Sequence, residues 1–242
     1  MTDLLDEIVE AHGGLARWNE LETVSAHLVQ GGAVWGLKGR QGVLDDVRIT
    51  DGPHEELVSH RPFGAPGRRS AFTPERMAIE TTEGEVLEEL ERPRDSFAGH
   101  TLDTPWTTLQ LAYFVGTAMW TCLTQPFTFT LPGFETKELE PWQEKGKQWR
   151  RLRVVWPAHR ATHNSVQTVY VDDDGLIRRE DHDVDIMAGS PGAHYIAGFT
   201  QVAGITLPTE RRILPRTPEG QALAEPLLVS IDLSDLSDLT FA

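Results

Sequence analysis

GHTLDTPWTTLQLAYFVGTAMWTCLTQPF, residues Gly99 to Phe127, is the longest apolar run in the chain. Thr104 suits an N-cap and Pro105 the first helical position, where a missing N–H costs nothing. Trp106, Leu109, Tyr113 and Trp120 recur at near-helical spacing, while Leu111, Phe114, Val115 and Met119 occupy the other sides. A helix apolar nearly all round must be buried nearly all round. Gln110, Thr117, Thr121, Thr124 and Gln125 interrupt the run, leaving less than the roughly 20 apolar residues a bilayer requires. The stretch therefore predicts a core helix and not a membrane span.

On both sides of it the pattern is strand and turn. Ahead of it, Thr2 or Asp3 caps a first helix striped by Leu4, Leu5, Ile8 and Val9, and His12-Gly13-Gly14 ends it. Val24, Ala26 and Leu28 then alternate with polar neighbours, and glycines punctuate Ala33 to Leu44 as in bent or bulged strands. Leu44–Thr50, Glu55–His60, Arg76–Thr81 and Glu85–Leu90 read as further strands, and Pro62–Pro74 as a loop. Behind the central helix, strands are expected at Thr128–Phe134, Gln148–Trp156, Val166–Val171, Leu176–Ile186, His194–Val202, Ile205–Leu214 and Leu227–Leu233. Asp172-Asp173-Asp174-Gly175 is a hairpin turn; the first ligand of a calcium loop would fall on Tyr170, and strands flank it instead of helices.

Composition limits the partners. The chain has 242 residues, 39% of them hydrophobic and 24% charged, and no linker-like segment divides it, so one domain spanning 1–242 is expected. With 37 acidic against 22 basic residues the net charge is −15, which repels nucleic acid and anionic membranes. Cys122 is the single cysteine, so no internal disulfide forms. The acidic start Met1–Glu7 lacks the basic and apolar regions of a secretory signal, so a cytoplasmic location is expected.

These elements predict a mainly β (α+β) fold. A large curved antiparallel sheet curls into a half-barrel, with the N-terminal and the central buried helix across its concave face. AHGGLARWNELETVSAHLVQGG after the first helix, the central helical insertion and the late strand–turn–strand QWRRLRVVWP…SVQTVYVDDDGLIRREDHDV carry a resemblance. By these features the chain resembles the half-barrel fold of bacterial outer-membrane lipoprotein carriers (LolA/LolB-like). The resemblance implies an apolar cavity between sheet and helices, suited to an acyl chain or other greasy ligand, and assigns no functional residue.

Candidate site residues come from polar groups on core-facing strand positions. In Leu176–Ile186, the apolar even positions place Arg178, Glu180 and His182 inward with them. His163 precedes the partner strand, and His194-Tyr195 opens the next hairpin. His182, His163 and His194 are acid–base candidates, with Arg178 or Tyr195 to stabilise negative charge. His100 and Asp103 stand at one end of the expected cavity. Trp106, Tyr113, Phe114, Trp120 and Trp156 are its expected walls. The histidine spacings do not make a metal signature, so no cofactor is expected, although a metal stays open. The expected function is binding of a largely apolar small molecule by an enzyme using His/Asp acid–base chemistry, of isomerase, cyclase or hydrolase type. The alternative is a non-catalytic carrier or sensor of a lipid-like ligand.

Overall fold

The computed structural model describes residues 3–236 and 240–241. Asp3 caps α1 (Leu4–Ala11), its side chain accepting from the Leu5 N–H; Thr2, the other expected cap, lies outside the described residues. Ala11 is followed by the C-cap His12, two glycines and the short α2 (Leu15–Trp18), whose Trp18 stacks on Phe127 at 4.3 Å. The chain then runs through β1 (Leu21–Gly31), α3 (Ala33–Leu37), β2 (Val47–Gly52), β3 (Leu57–Arg61), β4 (Arg68–Phe72), β5 (Arg76–Thr81) and β6 (Val86–Glu91) to α4 (Thr108–Thr124). After α4 come β7 (Glu135–Glu144), β8 (Lys147–Val155), β9 (Val166–Val171), β10 (Ile177–Val184), β11 (Ser190–Val202), β12 (Ile205–Pro215), β13 (Val229–Ser234) and β14 (Thr240–Phe241).

All the described strands belong to one antiparallel sheet in the order β6-β5-β4-β3-β2-β1-β13-β12-β11-β10-β9-β8-β7, with β14 added against β1. β6 and β7 are its two ends, so the sheet is not closed. The two halves meet where β1 pairs with β13, His27 opposite Ser234 and Gly31 opposite Ser230. Helix α4 packs on β2 to β5 on one side. On the other, Phe114 stacks on His163 and the Cys122 carbonyl accepts from Arg211 of β12. A helix touched from both halves of one sheet is wrapped by it, which explains why its apolar residues run all round. None of the described helices is long and apolar enough to cross a membrane.

Local chemistry corrects several expected boundaries. Helix α4 begins three residues beyond Pro105, because Thr107 and Gln110 form a reciprocal capping box: the Gln110 N–H donates to the Thr107 hydroxyl, and the Thr107 N–H to the Gln110 side chain. Ala33–Leu37 is helical, entered through Gly32 at φ 111°. Arg68–Phe72, inside the expected loop, is a strand paired with β5; its polar Arg68-Arg69-Ser70 start conceals it. The expected strand Thr128–Phe134 is instead a 3₁₀ turn over Phe127–Thr130, with the Thr128 and Thr130 hydroxyls bonded back to the Thr124 and Phe127 carbonyls. The next strand, Glu135–Glu144, is an acidic edge that apolar periodicity does not reveal.

Candidate ligand-binding site

Between α4 and the strands β10 to β13 lies a cavity of about 280 Å³. Its helical wall is Phe114, Ala118, Thr121 and Cys122, one face of α4 at i, i+4, i+7 and i+8 spacing. Val34 and Trp35 of α3, Ile213 of β12 and Ile231 of β13 supply further apolar wall. Leu102 covers one side, on a loop held by Lys38: the buried ammonium donates to the carbonyls of Thr101 (3.0 Å), Leu102 (2.6 Å) and Thr104 (3.2 Å). Burial lowers the Lys38 pKa to about 8.

The polar end is built by the pleat. Glu180 and His182, two apart on β10, point to the same face. His194 of β11 is the direct cross-strand partner of Glu180, and all three are buried. His163 joins them with its ring centroid 5.6 Å from that of His182, and the His182 and His194 rings are 5.9 Å apart. Nδ1 of His182 lies 3.1 Å from Oε1 of Glu180, but off the line of a hydrogen bond; Nδ1 and the Glu180 Oε2 have no hydrogen-bond partner. Behind them Arg211, buried on β12, donates to the Cys122 carbonyl at 2.5 Å and stands 3.4 Å from Nε2 of His194. An arginine there also meets the negative end of the α4 dipole.

Burial sets most of the charge states. It lowers His163 to about 3, with His182 adding to the effect. Burial and then the Arg211 charge hold His194 well below the usual imidazole range. For Glu180, burial alone would raise the carboxyl; His182, His194 and Arg211 outweigh it and hold the group at about 2. The site thus sets an ionised carboxylate, a guanidinium and three imidazoles at the end of an apolar cavity. Such a set can anchor a polar head group or relay a proton. Burial pushes the Cys122 thiol up to about 11, so it presents no thiolate at neutral pH.

The structure therefore brings together His182, His163 and His194, with Phe114 against them. It separates the other candidates. A β-bulge between Ile177 and Arg179 breaks the alternation, so Arg178 is ion-paired with Asp174 and Asp172 and lies over Phe199, outside the cavity lining. Tyr195, next to inward His194, takes the opposite face, bonded to Glu144 and near the Arg179 guanidinium. His100 packs on Phe97 and is not part of the cavity lining, and Asp103 is exposed. Trp106, Tyr113, Trp120 and Trp156 are core residues on the other sides of α4: Trp106 meets Phe97, Tyr113 meets Phe72, and Trp120 faces Trp156. Arg211 was open to the same alternation argument, since Ile205, Leu207, Arg211 and Ile213 share parity along β12.

No family model matches the sequence, and no curated protein matches it. Among solved structures, a LolA superfamily protein from Nitrosomonas europaea superposes over 100% of this chain and 94% of its own, with TM-score 0.52 and 11% identity. The fold is LolA-like. A DUF1329 family protein from Desulfovibrio piger is similar over 98% of this chain and 91% of its own, at TM-score 0.54 and 12% identity. The LolA-like sheet and its enclosed helix agree with the half-barrel expected from the order of elements.

Proposed function

We propose that the protein is a carrier or sensor that encloses a lipid-like, largely apolar molecule between α4 and β10–β13. One observation carries this reading: the cavity has apolar walls and a single charged end, at Glu180, His182 and His194. Pockets for small molecules are mostly apolar, with a few placed polar groups that fix orientation. At about 280 Å³ the cavity is nearly twice the engineered cavity of about 150 Å³ that takes benzene. The LolA-like fold supports the same class of cargo.

Ala118 is the small residue on the cavity face of α4, and Ala118→Trp fills the space with an indole. A fluorescent polyene fatty acid titrated into wild type should bind and be displaced by unlabelled fatty acid, and the variant should lose at least ~10-fold in affinity, about 1.4 kcal/mol. Equal binding by a folded Ala118→Trp variant overturns the reading.

The close approach of Glu180 and His182 at 3.1 Å favours a second reading, an acid–base enzyme acting on the bound molecule. Mass spectrometry of the natively purified protein identifies the cargo, and His182→Ala separates the two readings. A carrier retains the molecule unchanged; an enzyme converts it, and the variant does not.

A further inference from the structure

We propose that Glu180, His182 and His194 form a binding site for one divalent first-row transition metal ion, with zinc(II) the representative species. The site goes beyond the cargo reading and does not depend on it.

The backbone itself makes the triangle. Glu180 and His182 occupy alternate positions of β10, and His194 is the registered partner of Glu180 on β11, so three donors leave one face of two paired strands. Their ligand atoms all lie within 4.8 Å of one another, and one edge is already 3.1 Å. Zinc bonds of ~2.0–2.2 Å require ligand atoms ~3–3.5 Å apart. The Glu180–His182 pair therefore already has the required separation, and a His194 ring nitrogen lies within 4.8 Å of both residues' ligand atoms.

Two orphaned atoms point the same way. Oε2 of Glu180 and Nδ1 of His182 are buried without a hydrogen-bond partner. An ion is one of the explanations for a buried polar atom left without a partner. On the opposite face of the same strand no such orphan is left: Arg179 is bonded to Asp181, Glu144 and the Gly220 carbonyl.

Two imidazoles and one carboxylate suit zinc, iron(II) or cobalt(II), and suit magnesium and calcium poorly. Three protein ligands leave further positions open, and these face the cavity, where a water or a polar group of the cargo completes the shell. Arg211 is the opposing element. Its charge balances Glu180 in the metal-free protein, and its 3.4 Å contact with His194 is long enough to yield at little cost.

Untagged protein stripped with a chelator and titrated with Zn²⁺ or Co²⁺ tests the site. Wild type should take up one equivalent and show a higher melting temperature with the ion. Glu180→Gln, His182→Gln and His194→Gln should each weaken binding by at least ~10-fold, as even outer-shell changes do at metal sites. His27→Gln, at a half-buried histidine paired with Asp46 and outside the cavity lining, should leave binding unchanged. Absence of stoichiometric uptake by folded wild type overturns the proposal, and so does uptake undiminished in the three variants. If a variant does not fold, the Co²⁺ form of wild type decides. Hyperfine signals from two imidazole nitrogens support the site, and a spectrum without them overturns it. Ion uptake is read without any lipid, so the cargo reading can fail or stand separately.

Discussion

Asp51 sends a fully buried carboxyl group into the core from β2, and neither of its oxygens has a hydrogen-bond partner. Burial raises its pKa well above the usual 3.8. The folded protein therefore keeps a proton that the unfolded chain gives up, and stability falls as pH rises above about 4, by roughly tenfold in the folding equilibrium per pH unit. Buried His12 and His60 and half-buried His163 act in the opposite sense. Their folded pKa values, about 4, 3 and 3, lie below the ordinary 6.5, so their contribution is complete above 6.5 and is lost as pH falls. Asp51→Asn isolates the first effect, since it keeps the shape and removes the titration. Its stability gain over wild type should be small near pH 4 and grow as the pH is raised above it, measured by urea unfolding at each pH. A gain that shrinks with pH would show that Asp51 is ionised in the fold. At this scale the sequence discloses parity and not partners: alternation placed His182 and Glu180 inward, while the bulge at Arg178 has no local signature. The gathering of His163 and His194 beside them depends on register across separate hairpins.

The central helix shows what an element requires of its neighbours. Gly116 of α4 sits against Phe72 of β4, and a Cβ there would meet the Phe72 ring at 2.5 Å and its Cβ at 2.8 Å. Phe72 is buried and its Cβ is fixed to the strand, so the ring has little room to retreat. Gly116→Ala gains up to about 1 kcal/mol of helix propensity. The overpacking costs about 1–3 kcal/mol, and contacts this short put it at the upper end. The variant should thus unfold at lower denaturant concentration, by a net of about 1–2 kcal/mol, with an unchanged slope; a higher midpoint would mean that β4 yields. Sequence periodicity identified this helix and its burial, since no amphipathic stripe can explain apolar residues on every side. Its start was harder to read, because Thr104-Pro105 and Thr107-x-x-Gln110 are both plausible openings and only the second makes both reciprocal bonds. Which aromatic meets the cavity was not legible, because each of them belongs to a helix that is buried all round. Only the strands across from it make the Phe114 face a cavity wall.

An open sheet leaves two edges, and β6 is one of them. The order of elements pointed to a curled sheet, but not to the junction of β1 with β13, which lie some 200 positions apart and share no local signal. Nor does the order of elements show how the open edge is kept from pairing with a second copy. β6 exposes Val86 at 46% and Leu87 at 42%, an apolar pair that would favour such pairing. Glu88, Glu89 and Glu91 run along the same strand, with Glu85 just ahead of it, and Glu89 is held by Arg76. Charges on an edge strand oppose edge-to-edge association, since a second copy would bring like charges into register. Glu85→Gln, Glu88→Gln and Glu91→Gln together remove three of these charges and leave the Arg76 pair intact. The triple variant should melt near the wild-type temperature, because exposed glutamates contribute little to stability. It should nevertheless form dimers and larger species that increase with concentration, followed by light scattering. Added salt should move wild type the same way, more weakly, because screening acts on the same repulsion that the substitutions remove. If the variant stays as monodisperse as wild type from low to high salt, the glutamates do not guard this edge, and the local twist at the β-bulge between Ile79 and Glu80 is the remaining barrier to pairing.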